Sequence, residues 1–211
     1  MPASSLPKTR LLALTLGGLV AATPAFAHHP MGGATPATFV QGFLSGLAHP
    51  LIGLDHLAAL IGVGLVSTRF SRGLTLPAFW IIAMAAGIGL HLASATIPHA
   101  ELLVGLSVVI IGLAMTMSVT LPYALVAALF STGGALHGYA LAETVVGAET
   151  TPIGAYLVGL VAIQTAVTTG IALAARRFEK TSFAAPSLQL RLAGLAVAVT
   201  GAAALVFPAF A

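Results

Sequence analysis

The chain has 211 residues, 58% of them apolar and only 6% charged, against roughly 25% charged in an average soluble domain. With a mean hydropathy of +1.06 it cannot coat a water-soluble globule with polar side chains, so it reads as an integral membrane protein. The absence of cysteine excludes a disulfide framework and a thiolate metal site; the basic residues sit in short clusters at segment ends, which argues against a nucleic-acid partner despite a pI near 9.8.

In chain order, residues 1–27 have the form of a cleavable signal peptide. Lys8 and Arg10 make a positive head, Leu11 to Ala22 an apolar stretch, and Ala25-Phe26-Ala27 a small-residue cleavage site. The alternative is an uncleaved anchor, but Pro24 interrupts the run and it is short for a span. Cleavage after Ala27 leaves residues 28–211 as one membrane domain that starts at His28.

Six apolar runs follow: Pro50 to Ser67, Pro77 to Ala95, Glu101 to Ser118, Leu121 to Ala142, Ile153 to Ala175 and Leu190 to Phe207. They are too long and continuous for a barrel wall, so the expected fold is all-α, a polytopic bundle of six transmembrane helices. Arg69 and Arg72 follow the first run, and Arg176, Arg177, Lys180 and Arg191 lie between the fifth and sixth. With the N-terminus outside, as a cleaved signal requires, both clusters are cytoplasmic and both termini are periplasmic, in a bacterial inner (plasma) membrane. The external connections carry His99, Glu101, Glu143 and Glu149, an acidic and histidine-bearing side suited to a cation entrance. Glycines within the runs, among them Gly62, Gly87, Gly112 and Gly134, are expected to let helices approach closely.

An ionisable side chain at the centre of a membrane helix costs roughly 2.5 to 3.5 kcal/mol on insertion scales, so each one is a functional candidate. His49 precedes Pro50 and is expected at the cap of the first helix, with His56 on nearly the same face about 10 Å deeper. Asp55 points about 100° away, toward a neighbouring helix or, through a local kink, toward a ligand. His91 and His137 fall late in the second and fourth helices, with Glu143 about 9 Å beyond His137 if the helix continues. These residues all map to the outer half of the bundle, and imidazole with carboxylate suits nickel, cobalt or zinc better than Cu(I).

Plainer readings stand beside these. His91 fits a buried histidine bonded to a backbone carbonyl, and Glu101 fits the first turn of a helix in water. His28 and His29 read as a capture site at the mouth or as a disordered end, and Met84, Met115 and Met117 as filler. Three functions use the same polar cluster: a metal permease, a metal-dependent intramembrane hydrolase helped by Ser45 or Thr96, and an assembly factor or sensor that holds a metal without moving it. No phosphate-loop motif is present.

The run from His49 through Pro50, Leu51, Ile52, Gly53 and Leu54 to Asp55 and His56, and the run His137-Gly138-Tyr139-Ala140 followed by Glu143, resemble the motifs of the HupE/UreJ family of nickel and cobalt permeases. Gly147-Ala148-Glu149 and Ala155-Tyr156-Leu157 are similar to one branch of it, and the likeness extends over the mature chain. The chain departs from many members at Leu141 and Ala142, where they carry a further histidine and glycine. The resemblance implies uptake of Ni2+ or Co2+ as cargo, with no prosthetic group and no enzymatic activity. It implies that His49, Asp55, His56, His137 and Glu143 carry the ion, with His28, His29 and His91 as accessory candidates and nickel-enzyme maturation proteins as candidate partners.

Overall fold

The computed structural model describes residues 34–119, 121–178 and 186–207; the signal segment, His28 and His29 lie outside the described residues. All regular elements among these residues are helical: α1 (Phe39–Ile52), α2 (Leu54–Ser67), α3 (Leu76–Leu92), α4 (Ala100–Thr116), α5 (Tyr123–Leu141), α6 (Thr150–Phe178) and α7 (Leu188–Val206). Short 3-10 turns at Gly73–Thr75 and Ala142–Val145 precede α3 and extend α5.

Four of the six expected spans are helices long and apolar enough to cross a bilayer: Gly73–Leu92, Tyr123–Val145, Thr150–Arg177 and Leu188–Val206. The third expected span is the shorter apolar helix Ala100–Thr116. The first is corrected more substantially, because it is a pair, α1 and α2, bent by 78°. Helix α1 starts well before Pro50, at a capping box in which the Thr38 side chain accepts from the Gln41 N–H while the Gln41 side chain accepts from the Thr38 N–H. Pro50 lies inside α1, where it removes one helical hydrogen bond, and the helix stops at Gly53, whose extended ψ of 112° redirects the chain. His49 is therefore in the last turn of one helix and His56 in the first turn of another, not stacked on one helical face.

The helices pack in three close pairs, α1 with α6, α3 with α5 and α4 with α7, around the largely buried α2. Small residues make these approaches possible: a β-carbon at Gly46 would run into the Tyr156 carbonyl oxygen, and one at Gly138 into that of Met84. The same contacts give directions. Gly42 meets Pro152, Gly46 meets Tyr156 and Gly64 meets Thr168, so α1 and α2 together run the same way as α6. Trp80 meets Gly134 and Met84 meets Gly138, so α3 and α5 are parallel, whereas Gly105 meets Leu205 and Gly112 meets Ala198, so α4 and α7 are antiparallel.

Arginines bond carbonyls at and just beyond helix ends. Arg69 donates to the Ala114 oxygen at 3.1 Å near the end of α4, and Arg176 to the Phe70 oxygen at 2.7 Å just beyond α2. Met84 and Met115 are fully buried in the apolar core, in keeping with a filling role.

Candidate metal centre

The break between α1 and α2 opens a cavity with about 70 Å3 of space that water can occupy, lined by His49, Asp55, His56, Ala100, Glu101, Val104, Tyr139, Ala140, Glu143 and Thr144. Asp55 is 1% exposed and sits in the first turn of α2, where its Oδ1 accepts the His56 N–H at 2.7 Å. The helix N-terminus stabilises the carboxylate there, and one such bond leaves further lone pairs for a cation. Glu101 and Glu143 are exposed at the rim, on the first turn of α4 and on the turn that continues α5.

The imidazoles are held by partners from distant segments. The Nδ1 of His49 lies 2.8 Å from Thr144 Oγ1 and 3.1 Å from the Tyr156 hydroxyl oxygen, and Tyr156 donates in turn to the Leu141 carbonyl at 2.7 Å. His56 and His137 face each other through their Nδ1 atoms at 2.6 Å, and the Nε2 of His137 is 3.1 Å from Ser107 Oγ. Behind His137 its ring packs on Trp80, 4.8 Å between centroids, and the indole N–H donates to Gln164 Oε1 at 2.9 Å. Both Trp80 and Gln164 are buried. Among the described residues, no three His, Cys, Asp or Glu side chains are grouped so as to hold a metal ion together as they stand.

A family model described as HupE / UreJ protein matches residues 14–204. The chain belongs to the HupE/UreJ family. One relative, "Protein HupE" of Rhizobium leguminosarum bv. viciae, is 32% identical over 191 residues, which cover 88% of this chain and 93% of that protein. No solved structure matches.

Within this HupE/UreJ chain, the cavity brings together His49, Asp55, His56 and Glu143 of the expected residues. His137 is 1% exposed and lies behind His56, not on the cavity wall. His91 stands apart: its ring packs on Tyr139 at 4.4 Å, it does not line the cavity, and its buried Nδ1 has no hydrogen-bond partner among the described residues. Leu141 and Ala142, at the departure from the family pattern, are fully buried, and Leu141 serves the site through its backbone oxygen.

Glu101, expected on the external acidic side, is a wall of the cavity, and Val104, three positions on along the same face of α4, lines it as well. Tyr139 and Tyr156 stand out in the sequence only as members of the family-like runs, while Thr144 and Ser107 escape a sequence reading, being common polar types in apolar segments that only their partners mark out.

Proposed function

We propose that this protein is an inner-membrane permease for divalent nickel or cobalt, taking the ion from the periplasmic side into the cavity at the α1–α2 break. The observation that carries the proposal is that His49, Asp55 and His56, with Glu101 and Glu143 at the rim, line one cavity although they come from separate segments of an otherwise apolar chain. Membership of the HupE/UreJ family supports it. Imidazole nitrogen and carboxylate oxygen suit borderline divalent ions, and the absence of cysteine disfavours Cu(I). The rim carboxylates raise the local cation concentration; His28 and His29, outside the described residues, are accessory candidates by residue type alone.

The proposed topology has six crossings after a cleaved signal, the bent pair α1–α2 counting as the first. The directions of the helix pairs support it: α3 and α5 run in parallel with one helix between them, and α1–α2 run parallel to α6, as strict alternation requires. The arginine clusters then fall on the cytoplasmic side and both termini in the periplasm.

The test is accumulation of radiolabelled Ni2+ and Co2+ in proteoliposomes, with Zn2+ and Cu2+ as competitors. Asp55→Asn and His56→Ala are expected to abolish accumulation, and wild-type uptake by both would overturn the site. Stoichiometric binding without accumulation would identify a metal holder instead.

A further inference from the structure

Behind the cavity wall, hydrogen-bond donors and acceptors can be ordered one by one. Ser107 has a single hydroxyl proton, and it is given to the Val104 carbonyl at 2.7 Å. Toward His137, 3.1 Å away, the Ser107 oxygen can then only accept, which places a proton on Nε2 of His137. A neutral imidazole carries one N–H, so Nδ1 of His137 is the acceptor, and the 2.6 Å contact requires His56 to donate from its own Nδ1. The nitrogen left with a lone pair on His56, which lines the cavity, is Nε2.

We infer that Ser107 and His137 form a proton-ordered chain that fixes Nε2 of His56 as the atom presented to the cation, and that both are positioning residues, not ligands. Both ring nitrogens of His137 are committed within this chain, and its ring is absent from the cavity wall. Metal-binding histidines commonly hand their second N–H to an acceptor that fixes the tautomer and raises basicity; here that acceptor is another imidazole, backed by a hydroxyl and a helix carbonyl.

This inference rests on the permease reading for its ligand, but its first readout needs no metal. Full-length protein labelled with 15N-histidine in nanodiscs reports the tautomer of each ring by NMR, with assignments from single His→Gln variants. His56 is expected as the Nδ1–H form and His137 as the Nε2–H form. Ser107→Ala should shift His137, and with it His56, toward the opposite or a mixed tautomer, and weaken Ni2+ binding on the order of 10- to 100-fold. Ser107→Thr, which keeps the hydroxyl, should restore both. A wild-type His137 protonated at Nδ1, or Ser107→Ala with both tautomers unchanged, would overturn the chain. Reversed tautomers with Ni2+ uptake intact would overturn this inference alone, whereas ordered tautomers with no Ni2+ binding would overturn the permease reading and leave the ordering in place.

Discussion

Across the bend at Gly53, the rings of His49 and His56 stand 5.9 Å apart with their planes at 74°. The bend matters more than the helices it joins, because a straight helix would carry the second imidazole about 10 Å from the first. A β-carbon at Gly53 would lie 2.8 Å from His56 Cδ2 and 3.4 Å from Asp55 Oδ1, although its φ of −67° suits any residue. Gly53→Ala should therefore push the His56 ring aside without unwinding the chain. Calorimetric titration should show Ni2+ affinity reduced on the order of tenfold, about 1.4 kcal/mol, with the helical circular dichroism unchanged.

The helix pairs predict a contrast between glycines on neighbouring elements. At Gly46 an added methyl meets backbone of α6, while at Gly154 nothing lies within 4 Å. Gly46→Ala should cost about 1–3 kcal/mol through overpacking, and Gly154→Ala should be neutral or raise stability by up to about 1 kcal/mol. Thermal unfolding in one detergent, compared side by side, checks the difference.

Trp80 and Gln164 satisfy each other in an apolar interior. Replacing Gln164 with leucine leaves a buried indole N–H without a partner, at about 1–3 kcal/mol. The double variant Trp80→Phe with Gln164→Leu removes donor and acceptor together. Its loss should fall short of the sum of the single losses by about 1 kcal/mol, which a double-mutant cycle of unfolding free energies measures.

Uptake should fall on acidification. A coordinating imidazole must be neutral, so protons compete with the cation for the histidine nitrogens. Initial rates in proteoliposomes across an external pH series should therefore fall steadily as the pH is lowered. Rates that do not change with pH would rule out imidazole ligands.

The apolar runs made the helices from α3 to α7 legible, because hydropathy and length decide them. Helix α1 was not, since Gln41, Gly42, Ser45 and Gly46 dilute its apolar character, and these small or polar residues face inward or cap its start. Pro50 looked like a helix start because it needs no N–H partner in the first turn; two residues before a break, it is tolerated near a helix end as well. His49, Asp55, His56 and Glu143 could be picked out because ionisable groups are costly in an apolar helix. The place of His137 could not, since being behind a wall instead of in it depends on which nitrogen faces which neighbour.

Pairing α1 with α6 has a consequence for biogenesis. His49 and Tyr156 are separated by 107 positions, so the ribosome has released α2 through α5 before the hydroxyl that orients the first imidazole exists. Until then α1 has no lasting neighbour along its glycine face, and the cavity is completed only when α6 arrives, with the α4–α7 pair still to follow. A nascent chain arrested before α6 would thus hold nearly every group the cavity needs and still lack a functioning centre.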